Sequence, residues 1–320
     1  MLSLIALVGV GSPWVAANEP DPPDALETVL VQFAVDPSHF TTLEQFHQRI
    51  DAIVSEAMAG SDPDLIIFPE YTSVFALFSD FINSQGEVLV NEVSHDVIPR
   101  VDSDVSQFVP NKAHRFVRRH AERFAEEIVE MWSAVAAEHG VWILAGSGFV
   151  PAADEGVYNR VWVFDRSGEI VYHQDKVFLT VFEREKLGVI PGSVSDAETF
   201  EVDGIELAVT ICRDSYFEDW ERGFNDADAW IDIRANGEEY SPAVRRRFDT
   251  ALPERIARSD VPLGLSTSLN GRFLDYLWQG PAFVVDDDGK RVAQSPTIDG
   301  DYLMRVEVPA ATVHGENSVD

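Results

Sequence analysis

Short, unbroken apolar runs that stop abruptly at polar residues constrain this fold more than any other feature of the chain. Leu65-Ile66-Ile67-Phe68 halts at Pro69-Glu70, Val141 to Ala145 forms a second such run, and a β-rich segment ends at Ile211-Cys212. A strand apolar at every position is buried on both faces, so each face needs a covering layer. Segments with helical spacing supply the cover. Thr42 to Ala59 reads as an amphipathic helix behind a threonine cap, and Lys112 to His139 as another, stopped by Gly140. Thr28–Phe33 and Arg160–Phe164 read as further strands, with hairpin turns at Asp165–Gly168 and Asp286–Gly289. Strands alternating with helices predict an α/β protein. With 320 residues, 45% of them hydrophobic, and no internal repeat, the chain is expected to form one core and one domain.

Three of the strand ends carry chemistry. The chain's one cysteine, Cys212, follows Val209-Thr210-Ile211 and precedes a polar turn, which is where an α/β protein presents a nucleophile. A lone buried cysteine is by itself more often a small hydrophobe. Glu70 emerges next to Pro69, which ends its strand's ladder, although a glutamate in so acidic a chain is usually a solvated loop carboxylate. Lys176 ends Ile170-Val171-Tyr172-His173-Gln174-Asp175 and is one of only four lysines, the others being Lys112, Lys186 and Lys290. The three together are far more specific than any one.

The segments Phe68-Pro69-Glu70, Asp175-Lys176-Val177-Phe178-Leu179 and Ile211-Cys212-Arg213-Asp214, with Phe182 to Gly192 as a fourth, resemble the nitrilase superfamily, the carbon–nitrogen hydrolases. The likeness runs from about Leu30 to about Val308. It implies a four-layer α-β-β-α sandwich of the carbon–nitrogen hydrolase type, commonly a homodimer, and a Glu-Lys-Cys triad of Glu70, Lys176 and Cys212. It further implies an active-site glutamate before Pro191-Gly192. Counting back from Pro191 favours Glu185, with Glu183 the alternative.

The chemistry needs these residue types. A free thiol titrates near about 8.5 and only its thiolate attacks well, so a neighbouring carboxylate accepts the proton. Lys176 and the backbone N–H after Cys212 are the oxyanion donors the resemblance implies. Glu185 would orient substrate or support Lys176. No cofactor and no metal is expected, since one thiol cannot build a cysteine-rich zinc site. Arg213 stands where relatives commonly carry an aromatic residue, and Arg234-Ala235 where many carry proline and a small hydroxyl residue. Both arginines are read as binding a substrate carboxylate, which arginine grips in a bidentate fork. Equally, each could pair with a local acid such as Asp214, Glu218 or Asp232. His173 is read as structural.

Composition bounds the setting. Fifty-five acids against 24 bases leave a net charge of −31, which excludes nucleic acid and anionic membranes as partners. Few lysines among many carboxylates suit a salt-tolerant source or an acidic secreted protein. Residues 1–17 read as a signal peptide without its basic start, 18–27 as a Pro-rich linker, 28–310 as the single domain, and 311–320 as a polar tail. The predicted location is therefore exported, or cytoplasmic if residues 1–17 are no signal. The apolar run is too short for a membrane span, which argues against the membrane-embedded lipoprotein N-acyltransferase branch. The stretch 79–111 reads as an insert, either a lid over the pocket or a plain surface loop. The expected function is hydrolysis of a small linear amide or N-carbamoyl compound through a cysteine thioester, releasing ammonia. A nitrilase working through a thioimidate and a non-catalytic scaffold are the alternatives.

Overall fold

The computed structural model describes residues 23–81, 110–153, 156–273 and 276–310. The signal-peptide reading, residues 18–22 of the linker reading, residues 82–109 of the insert and the tail lie outside the described residues.

Strand β1 (Ala25–Val35) begins inside the segment read as linker, because Leu26 is wholly buried and Ala25 pairs with Pro309. β2 (Leu65–Ile67), β3 (Trp142–Pro151), β4 (Val157–Phe164) and β5 (Ile170–Asp175) continue the same sheet. β6 (Phe200–Val202), β7 (Ile205–Ile211), β8 (Ala229–Ile233) and β9 (Gly264–Ser266) build a second sheet. The chain then returns β10 (Ser268–Phe273) and β11 (Tyr276–Trp278) to the first sheet, and β12 (Phe283–Val285) and β13 (Arg291–Gln294) to the second. β14 (Tyr302–Pro309) closes beside β1. The orders are β11-β10-β1-β2-β3-β4-β5, with β14 also on β1, and β13-β12-β9-β8-β7-β6. One edge of β1 is thus shared, antiparallel to β14 over its first part and parallel to β10 at its end.

Alternation along the strands sorts the core into three layers. Leu26 and Leu30 of β1 and Leu65 and Ile67 of β2 face the second sheet, where Val209, Ile211, Ile231 and Ile233 meet them. Val29, Val31 and Phe33 point the other way, onto helices α1 (Leu43–Met58) and α2 (Pro110–His139). On the far side, Ala208 and Trp230 pack beneath Trp220, Phe224, Leu252 and Ile256. Helix, sheet, sheet, helix is the expected sandwich. Both long helices match their sequence signals within two residues. The Thr42 hydroxyl accepts the Gln45 N–H at 3.1 Å as the cap of α1, and Gly140 takes φ 61° just past the end of α2. β2, β3 and β5 run in one direction, so their carboxyl ends share an edge of the first sheet.

Candidate active site

Glu70 stands three residues past β2, and its loop is fixed by β3. The pairing of β3 with β4 shifts register between Leu144 and Ser147, which leaves Gly146 at φ 65°. A Cβ there would lie 2.2 Å from the Pro69 carbonyl oxygen, so only glycine lets the loop sit this close. The displaced Ser147 hydroxyl accepts the Tyr71 N–H at 3.0 Å, and Tyr71 itself holds φ 65°. The turn brings the Glu70 carboxylate inward, where it is almost fully buried.

Lys176, at the end of β5, has both backbone groups tied: its N–H donates to Asn159 O and its C=O accepts from Gly192, each at 2.9 Å. Gly192 is required, since a Cβ would meet the Asp175 oxygen at 2.7 Å. The buried ammonium donates to Glu70 Oε1 at 2.7 Å and to Glu183 Oε1 at 2.9 Å. Asn159 donates to the same two oxygens at 3.0 and 3.2 Å, and the Tyr71 hydroxyl to Glu183 Oε1 at 2.5 Å. Thr180 completes the shell with its N–H and hydroxyl on Glu183 Oε2, at 2.8 and 2.9 Å.

Of the two glutamates the sequence offers here, Glu183 is the one that contacts Lys176, while Glu185, the one favoured by counting back from Pro191, is exposed to solvent. Both belong to one wide helical turn, Glu183–Leu187. Two residues along such a turn reverse the side chain's direction, so only one of the pair can face Lys176.

Cys212 follows β7 at φ 54°, a strained state that lifts the thiol out of line with its strand. Its thiol stands close enough to Glu70 for each to shift the other's ionisation. Ser215 ties the elbow down, its hydroxyl lying 2.8 Å from Cys212 O and 3.0 Å from Asp232 Oδ2. Buried Asp214 clamps the two halves of the site together, accepting the Phe178 N–H at 2.7 Å and the Val177 N–H at 3.2 Å. The lysine loop and the cysteine loop are thus joined directly, with Phe178 and Phe217 stacked at 3.7 Å beside them.

The electrostatics set the proton positions. Burial lifts Glu70 to about 7, and Glu183 adds to this while Lys176 opposes it. Burial also pushes the Cys212 thiol up, helped by the Glu70 charge. Burial acts to discharge Lys176, but Glu183 and Glu70 outweigh it and hold the ammonium charged. Burial likewise raises Glu183, yet Lys176 and the Tyr71 hydroxyl win and keep it ionised. The resting cluster thus sets a protonated thiol beside a carboxyl that burial raises, with an ammonium–carboxylate pair behind them.

Cys212 opens on a cavity of about 510 Å³ walled by Arg213, Tyr216, Phe217, Arg247 and Phe248. Arg213 is on it as the sequence suggests. Arg234 is not: it is buried behind Phe248, its Nε paired with Asp232 and its guanidinium 4.4 Å from that ring's centre. A strand-end arginine next to a buried aspartate finds its counter-ion locally, whereas Arg247 reaches the cavity from a separate helix, Pro242–Phe248. Sequence signals for Tyr71, Asn159, Thr180 and Arg247 are lacking, because each matters only through contacts distant in the chain. Among the described residues, no group of three or more His, Cys, Asp or Glu side chains is placed to hold a metal ion. None of the described helices is long and apolar enough to cross a membrane.

Comparison with known proteins agrees with this architecture. The structure is similar to that of a carbon-nitrogen hydrolase from Helicobacter pylori G27, with a TM-score of 0.66 at 16% identity, covering 89% of each chain. An amidase from Nesterenkonia sp. AN1, seen with acrylamide added at its active-site cysteine, gives a TM-score of 0.62 at 16% identity, covering 89% of this chain and 93% of that one. A Saccharomyces cerevisiae member of branch 10 of the nitrilase superfamily gives 0.62 at 18% identity, covering 92% and 93%. In sequence, 87 residues are 36% identical to a 2-oxoglutaramate amidase of Bacillus subtilis (strain 168). That match spans 27% of this chain and about a third, 32%, of the relative. The carbon-nitrogen hydrolase family pattern matches residues 29–313, nearly the whole described fold, and the chain belongs to that family.

Proposed function

We propose that the protein is an amidase, hydrolysing the C–N bond of a small linear amide or N-carbamoyl compound through a thioester on Cys212. The observation that carries this reading is the convergence of Glu70, Lys176 and Cys212 at one buried point that opens on the cavity. The cysteine adduct of the Nesterenkonia amidase, which shares the fold, supports the choice of nucleophile.

In this mechanism Glu70 takes the thiol proton as sulfur attacks the carbonyl carbon, so no free thiolate accumulates in the resting site. The tetrahedral oxyanion is met by the Lys176 ammonium and the Arg213 backbone N–H. One such donor is worth about 3 to 4 kcal/mol in the transition state. Collapse expels ammonia from an amide, or the amine from an N-carbamoyl compound, with the proton returned from Glu70, leaving the acyl or carbamoyl group on sulfur. Glu70 then activates water, which releases the acid and restores the thiol. Glu183 holds Lys176 charged and in position throughout.

The test is ammonia release from a panel of amides, N-carbamoyl amino acids and nitriles, with Cys212→Ala as control. Amides and carbamoyl compounds are expected to yield ammonia, and the variant to lose turnover while keeping the wild-type circular dichroism. Activity confined to nitriles, or hydrolysis by Cys212→Ala, would reject the reading.

A further inference from the structure

Strand β8 is apolar and buried along its whole length except at one residue. Asp232 lies within it, wholly buried, opposite Thr210 on β7 and Ser266 on β9. Its counter-ion, Arg234, is also buried and follows just past the strand's end, with its guanidinium 4.4 Å from the Phe248 ring centre and 5.5 Å from that of Phe283. A buried ion pair adds little net stability over apolar residues of the same size, because both ions must leave water. Stability alone therefore does not account for this one.

What the pair touches is the turn that carries the nucleophile. The buried Ser215 hydroxyl lies 3.0 Å from Asp232 Oδ2, 3.4 Å from Arg234 Nη2 and 2.8 Å from Cys212 O. Arg234 can only donate to it, so the hydroxyl's own proton is shared between the carboxylate and the Cys212 carbonyl. A carbonyl gripped in this way fixes the plane of the peptide that joins Cys212 to Arg213. In a trans peptide the C=O and the N–H point in opposite directions. Holding the carbonyl toward Ser215 turns the Arg213 N–H away from it, and that N–H is the backbone donor of the proposed mechanism. Cys212 sits at φ 54°, where a residue with a Cβ does not rest unaided, so this peptide needs an outside hold.

We propose that Ser215, Asp232 and Arg234 are positioning residues that set the Cys212–Arg213 peptide so that its N–H faces the oxyanion formed at Cys212. The inference rests on the reading of Cys212 as the attacking group and extends it to residues that act only through that peptide. Arg234 holds the carboxylate, the two together hold the hydroxyl, and the hydroxyl holds the carbonyl. Charge makes the hold stiff, since hydrogen bonds to an ionised partner are about twice as strong as neutral ones. Asp214, in the same turn, grips the loop that follows Lys176. Adjacent residues of one turn thus place both oxyanion donors, Asp214 on the lysine side and Ser215 on the backbone side.

Two reagents separate this role from a merely structural one. Attack on p-nitrophenyl acetate builds an oxyanion and is read as the burst of nitrophenol when Cys212 is acylated, with Cys212→Ala as the background. Thiol exchange with dithiodipyridine takes place at sulfur and builds none. Ser215→Ala is expected to slow acylation about tenfold or more while exchange stays within about twofold of the wild type. Asp232→Asn keeps the shape and removes the charge, and should show the same split in smaller measure. Its exchange should not slow, since the Asp232 charge, after burial and Glu70, pushes the thiol up. With an amide substrate kcat should fall and KM stay nearly unchanged. Acylation at the wild-type rate in both variants overturns the proposal. So does an equal loss of both rates, which would mean that the thiol itself has moved. The predicted split without ammonia from any amide upholds the positioning role and overturns the amidase reading instead.

Discussion

Cys212 and Tyr71 both hold positive φ, 54° and 65°, at the exits of two strands from different sheets. Side chains with a Cβ avoid this region, and each such residue costs about 1 to 3 kcal/mol. The surrounding hydrogen bonds to Ser147 and Ser215 repay it, and what the strain secures is direction. Cys212 faces Glu70, and the Tyr71 hydroxyl reaches Glu183. The pH profile follows from the same contacts. In the proposed mechanism Glu70 must be ionised to accept the thiol proton, and burial lifts it to about 7, so kcat/KM is expected to fall as pH drops through about 7. A profile flat between about pH 5 and pH 8 would exclude Glu70 as the base. Glu183→Gln removes a charge that raises Glu70, so the acid limb should move to lower pH, with turnover reduced about a hundredfold or more as Lys176 loses a partner. Exposed Glu185→Gln should track the wild type in both respects. Steady-state rates across pH distinguish the two glutamates directly.

At the scale of elements, the site is assembled by irregularities in otherwise regular strands. The register shift in β3 lets the Pro69 carbonyl approach Gly146 and turns Ser147 toward Tyr71, so a defect in one strand aims the residue that follows another. Gly146→Ala is expected to destabilise the fold by about 2 to 4 kcal/mol and to reduce turnover sharply, because the Glu70 loop must move away from the new methyl group. Gly60→Ala is the comparison: φ is 84° but nothing lies within 4 Å. Only backbone strain of about 1 to 2 kcal/mol applies there, and activity should persist. Urea denaturation beside kcat/KM checks both, and equal effects of the two variants on turnover would refute the bulge's role. Asp214 works on the same scale, joining the loops after β5 and β7 through two N–H groups. Burial lifts it to about 7, against the pull of Lys176 and of the two N–H groups it accepts.

Across the whole molecule, 31 excess negative charges repel one another around a core that is apolar in all three layers. Salt screens such repulsion over about 10 Å at 0.1 M and about 3 Å at 1 M. Thermal stability is therefore expected to rise between these salt concentrations, measured as the midpoint of unfolding by circular dichroism. A midpoint that falls would show that local ion pairs such as Arg166 with Asp64 and Asp203 outweigh the general repulsion.

Several of the strands, both long helices, the α/β class and the places of Glu70, Lys176 and Cys212 just past strand ends were legible in the chain itself. Burial on two faces demands unbroken apolar runs, and the end of such a run places its next polar residue at a sheet edge whatever the packing elsewhere. Which glutamate backs Lys176, and which arginine reaches the cavity beside Arg213, were decided only in three dimensions. Glu183 and Glu185 are alike in type and two residues apart, so their difference lies in the rotation of one helical turn set by contacts to Tyr71, Asn159 and Thr180. Arg234 and Arg247 are likewise alike in type. One meets Asp232 inside the protein, and the other is carried to the cavity by a helix whose buried Phe248 also lines it. Side-chain direction in irregular segments depends on φ and ψ, and long-range packing fixes those angles.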